Sequence, residues 1–128
     1  MAKQRTHRLG DLQLRIMKIL WDRGEASVSD VHEALGQDGR LAYTTVATML
    51  RKMEARGLVR HRTEERRFIY RAAVSSEQVT RSMAGHVIER LFEGSLADMV
   101  SHLLETHEVT REELAKLEQL IARRKRSL

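Results

Sequence analysis

Between Tyr43 and Arg56 the chain places Val46, Met49, Leu50 and Met53 at the i, i+3, i+4, i+7 spacing of a single helix face, and Gly57 follows at once. After the glycine come two short runs, Leu58 to Arg62 and Arg67 to Ala72, the second carrying Phe68, Ile69 and Tyr70. Such runs read as two strands joined through Thr63 to Arg66. That turn lacks an Asn-Gly pair, so the sequence leaves the register of the hairpin open. A helix that buries one stripe, stops at a glycine and passes directly into a hairpin is a narrow structural specification.

The upstream residues narrow it further. Leu12, Ile16, Ile19 and Leu20 predict a helix from Asp11 to Arg23, which Gly24 can stop. Ser27 with Asp30 forms an acidic capping box for a short second helix bearing Val28, Val31, Ala34 and Leu35, and Gly36 to Gly39 is the expected turn. Helix, helix, helix and hairpin in this order are the parts of a winged helix-turn-helix, whose third helix enters the major groove of DNA. The expected fold is therefore mainly α with a small β-hairpin: a winged helix-turn-helix over residues 1–74, then a helical dimerisation region over 75–128.

If Val46, Met49, Leu50 and Met53 face inward, Thr44, Thr45, Thr48, Arg51 and Lys52 face outward. Hydroxyls and small methyls reach base edges without overfilling the groove, while the two cations can meet phosphates or a guanine edge. The alternative is a merely solvated helix face. Threonine is a mediocre helix former, however, so a cluster of it where packing makes no demand favours DNA. Arg62, Arg66 and Arg67 bracket the hairpin turn and supply a candidate second contact; local ion pairs with Glu64 and Glu65 are the alternative use of that charge. Lys3, Arg5 and Arg8 are either a basic arm or a plain polar terminus.

Beyond Ser75 the periodicity stays helical, with caps at Ser95 and Thr110 and a basic end at Arg123, Arg124, Lys125 and Arg126. Val87, Leu91, Phe92, Leu96 and Met99 offer apolar surface there, and so do Val100, Leu103, Leu104, Leu117 and Ile121. This exceeds what three short helices can bury among themselves, so these residues are the candidate dimer contacts. Folding back onto the winged helix as a monomeric cap is the other solution.

Composition excludes several functions. With 41% apolar and 32% charged residues the chain supports one packed core with wet outer faces, and the formal charge of +5 suits a polyanionic partner. No cysteine is present, which excludes thiolate metal sites and a cysteine nucleophile. His7, His32, His61, His86, His102 and His107 are scattered, with no i, i+4 pair, so no metal site and no cofactor are expected. There is no nucleophile elbow, phosphate-binding glycine loop or zinc-protease motif, so no catalytic residues and no enzyme activity are expected. The absence of a long apolar run or signal peptide places the chain, as an expectation, in the cytoplasm without membrane insertion.

The residues Leu9-Gly10-Asp11-Leu12, Ile16-Met17, Leu20-Trp21, Val31-His32, Tyr43-Thr44-Thr45-Val46, Leu50, Gly57-Leu58-Val59 and Tyr70 carry a family likeness. In that order they resemble the penicillinase-repressor family, BlaI/MecI/CopY. The resemblance implies a homodimeric repressor that reads each half of a palindromic double-stranded operator with an N-terminal winged helix and joins its subunits through C-terminal helices. It also implies a membrane sensor protease as a partner of the β-lactam-responsive members, which are cut at an Asn-Phe bond. This chain has no asparagine and reads Ser101-His102-Leu103-Leu104 at the corresponding point, which puts that mode of induction in doubt. Its end, Ala122 to Leu128, lacks the cysteines of the copper-responsive members. A competing function is a winged-helix module that docks on another protein and binds no specific DNA.

Overall fold

The computed structural model describes residues 9–36 and 41–128. The basic arm Lys3, Arg5 and Arg8, and the turn residues Gln37 to Gly39, lie outside them. The chain runs α1 (Asp11–Arg23), β1 (Glu25–Ser27), α2 (Val28–Leu35), α3 (Tyr43–Ala55), β2 (Val59–Glu64), β3 (Arg67–Ala72), α4 (Ser76–Phe92), α5 (Leu96–Thr106) and α6 (Arg111–Arg126). Two compact units divide at His86 and Val87.

In the first unit the apolar stripes of three helices meet over one face of a sheet. Ile16, Met17 and Leu20 of α1, Val31 and Leu35 of α2, and Val46, Leu50 and Met53 of α3 are all essentially buried, together with Leu58, Val59 and Tyr70 from the hairpin. Buried aliphatic side chains of this size contribute roughly 1.5–3 kcal/mol each relative to exposure, so this cluster is the main reason the helices hold their places. Trp21 adds a polar tie, donating from Nε1 to the Val74 carbonyl at 2.9 Å.

The sheet is antiparallel in the order β1-β3-β2. Strand β1 was not expected: Glu25, Ala26 and Ser27 pair with Arg71, Tyr70 and Ile69. Ser27 then serves two elements, ending β1 and capping α2. Its Oγ accepts the Asp30 N–H at 3.1 Å, and the Asp30 carboxylate accepts the Ser27 N–H at 3.0 Å. Hydrogen bonding by Ser27, its backbone N–H foremost, holds the Asp30 carboxyl below the usual carboxylate range.

The exit from α3 fixes where the wing starts. Gly57 takes φ 79°, and its N–H donates to the Glu54 carbonyl at 2.9 Å while the Leu58 N–H donates to Met53 at 3.0 Å. This is a Schellman cap, and only a residue tolerant of left-handed φ makes it without strain. The hairpin is tighter than the sequence suggested. Strands β2 and β3 stay paired as far as Glu64 opposite Arg67, leaving only Glu65 and Arg66 as the turn, at φ 48° and 65°. Left-handed backbone at both central residues matches the right-handed twist of the strands, and here that demand overrides residue preference.

The first turns of α4 belong with the winged helix, where Val79 is 1% exposed, and the unit runs on to His86. The second unit, Val87–Leu128, contains no buried side chain.

Candidate nucleic-acid interface

The candidate DNA-contacting face is built by the opposition of two stripes on α3. Val46, Leu50 and Met53 are 0% exposed. Met49 is half-buried, and Gln13 of α1 donates to its sulfur at 3.4 Å. With that stripe pinned, Thr44, Thr45, Thr48, Arg51 and Lys52 are all exposed. Arg51 reaches back along the helix to donate to Thr48 Oγ1 at 3.4 Å, so hydroxyl and guanidinium present together.

Beside this face lies a groove of about 390 Å³ that three elements line. Ser27, Val28 and Ser29 come from the start of α2, Tyr43, Ala47 and Arg51 from α3, and Arg66, Arg67, Phe68 and Tyr70 from the wing. The fold thus brings Arg51 of the helix to the same groove as Arg66 and Arg67 of the hairpin, two candidate contacts that the sequence presented separately. An anionic backbone entering it would meet cations on two sides and the N-terminal end of α2 on a third.

Arg62, the remaining wing candidate, is already committed. It donates to Glu25 of β1 at 2.9 Å and to Glu64 at 2.7 Å. Its hydrogen bonds to these two carboxylates raise its pKa above the ordinary arginine value, and the Arg62 guanidinium holds Glu25 below the usual carboxylate range. Its charge is largely neutralised in place, so the geometry gives Arg62 a part in holding β1 near the wing.

Tyr43 was not among the candidates. It is 48% exposed at the first position of α3 and lines the groove. His32 stands edge-on to it with ring centroids 5.9 Å apart, and the His32 Nε2–H donates to the Leu41 carbonyl at 2.8 Å. The signal available beforehand was only its place at the start of the reading helix. At the other end of α3, the Glu54 carboxylate accepts from both the backbone N–H of His61 at 3.1 Å and its ring Nδ1 at 2.7 Å. The His61 ring stacks on Phe68 at 4.0 Å. Helix and wing are therefore joined by side chains as well as by the chain itself.

Most of the candidate dimer residues are exposed. Leu91 is 72% exposed, Leu96 62% and Ile121 55%, while Val100, Leu103 and Leu104 are also exposed. Val87, Phe92, Met99 and Leu117 are half-buried. Among the described residues no group of three or more histidines or carboxylates stands together as metal ligands, and no helix is long and apolar enough to cross a membrane.

Fold and face together define a DNA-binding transcriptional regulator of the winged-helix class. Residues 9–123 match the family model described as the penicillinase repressor. The chain belongs to the penicillinase repressor family. It is 25% identical over 117 residues to the penicillinase repressor of Bacillus licheniformis, spanning 91% of each chain. It is 36% identical over 85 residues to the transcriptional regulator BlaI of Mycobacterium tuberculosis, spanning 66% of this chain and 59% of that one. Among solved structures it resembles the DNA binding domain of the repressor BlaI, with a TM-score of 0.52 at 22% identity over 59% of this chain and 93% of that one. It also resembles the monomeric form of Bacillus licheniformis BlaI, solved in complex with the blaP half-operator, with a TM-score of 0.50 at 23% identity over 58% and 90% of the two chains. These last two are likenesses of fold.

Proposed function

We propose that this chain is a transcriptional repressor that binds a palindromic operator as a homodimer, acts in the cytoplasm and catalyses no reaction. The observation that carries the reading is the clean division of α3: a fully buried Val46, Leu50 and Met53 stripe behind an exposed Thr44, Thr45 and Thr48 face. The threonines read base edges, Arg51 and Lys52 anchor the helix, and Arg66 and Arg67 hold the backbone from the wing. An apolar set in residues 87–128, half-buried to exposed, supports a second copy as the partner. Two-fold symmetry then sets the half-sites about 34 to 36 Å apart, or a multiple of that.

Release from the operator by a membrane sensor protease requires a cleavage rule of its own, since Ser101-His102-Leu103-Leu104 lies within α5 and holds no Asn-Phe bond. The test of the function is competition for DNA. The chain should retain a duplex from its own promoter against a large excess of random duplex at physiological salt. Equal competition by the two would remove the repressor reading, and retention of neither, beside stable binding to a protein partner, would replace it with a docking module.

A further inference from the structure

We infer that α6 pairs with α6 of a second copy in antiparallel orientation, and that its own charge pattern selects that orientation. The inference rests on the homodimer reading and goes beyond it by naming the contact and its direction.

Helix α6 carries Leu114, Leu117 and Ile121 on one stripe, and Leu114 is 38% and Ile121 55% exposed. By helical spacing Glu113 and Glu118 lie beside that stripe in its first part, and Arg124 and Lys125 lie beside it near its end. Among the described residues none of these four side chains makes a salt bridge within the chain. Leu117, between Leu114 and Ile121, is half-buried, so the two ends of the apolar stripe and the charges flanking it are available to a partner.

The pattern fits a copy of itself in one direction only. Two parallel α6 helices would set Glu113 and Glu118 beside their own counterparts, and the basic ends beside each other, which is repulsive at both ends. Turned antiparallel, the acidic part of each helix lies along the basic part of the other while the two stripes still meet. Flanking charges of this kind choose orientation and partner more than they add affinity. A two-fold axis across the helix satisfies the arrangement, as a closed dimer requires.

Three full-length variants test it by sedimentation equilibrium. Glu113→Lys with Glu118→Lys makes both flanks of the α6 stripe basic along their length, and Arg124→Glu with Lys125→Glu makes them acidic. Each should weaken the dimer at least about tenfold. The variant with all four changes inverts the pattern and should dimerise within about threefold of the wild type, yet fail to exchange subunits with it. Fraying of α6 against its dipole would instead make the fourfold variant the weakest of all. That result, or no change in any variant, would overturn the antiparallel pairing while leaving the dimer itself standing. A wild-type chain that sediments as a monomer would overturn the dimer reading and the pairing together.

Discussion

The carboxylate of Glu54, in the last full turn of α3, grips His61 of β2 twice, accepting its backbone N–H at 3.1 Å and its ring Nδ1 at 2.7 Å. One acidic side chain thereby ties α3 to the wing. Replacing Glu54 by Ala should cost about 1 kcal/mol in urea unfolding, a modest value because both groups are about 30% exposed to solvent. The same change should lower operator affinity by more than it lowers affinity for random DNA, since base reading needs the helix and wing in register.

The hairpin turn stores strain that can be released. Glu65 and Arg66 sit at φ 48° and 65° without being glycine or asparagine. Changing them to Asn and Gly should raise the urea midpoint by the equivalent of about 1 kcal/mol or more. Arg66 also lines the groove, so the stabilised variant should bind DNA more weakly, with a salt slope smaller by about one charge. An unchanged slope would detach Arg66 from DNA.

The capping box on α2 carries a pH signature. Hydrogen bonds from Ser27 lower the Asp30 pKa below its ordinary value, so Asp30 contributes stability that is present above that value and lost as pH falls through the folded one. Thermal melts of the wild type should therefore decline more steeply than those of Asp30→Asn as pH drops below about 4. At neutral pH the Asn variant should be the less stable of the two.

Much of this architecture could be read from residue spacing, because a buried helix stripe writes itself as a period. Val46, Leu50 and Met53 behind Thr44, Thr45 and Thr48 are the case in point. What escaped was decided by distant partners. Strand β1 has one apolar residue among its three, no alternation to detect, and exists because β3 pairs with it. The commitment of Arg62 to Glu25 depends on that strand, and so could not be seen either. The turn at Glu65 and Arg66 contradicts local preference because strand pairing imposes it. Val79 looks in sequence like any periodic apolar residue of α4, yet it alone of that helix is buried, against the winged-helix unit that takes in the first turns of α4.

Core and surface positions on α3 should separate cleanly in stability. Leu50→Ala removes a side chain that is 0% exposed and should cost about 2–5 kcal/mol, enough to unfold much of the winged helix at physiological temperature. Thr48→Ala, on the exposed face, should stay within about 0.5 kcal/mol of the wild type. Equilibrium unfolding of both variants checks the assignment.

The central claim is that the exposed threonines of α3 read sequence while the cations beside them only hold the backbone. The most direct measurement is the ratio of operator to random-duplex affinity for the Thr45→Ala and Thr48→Ala variants, compared with Arg51→Ala, across a salt series. The account predicts that each threonine change lowers the ratio by about tenfold with little effect on random DNA, whereas Arg51→Ala weakens both duplexes alike and reduces the salt slope. Threonine variants that keep the full wild-type ratio would contradict it.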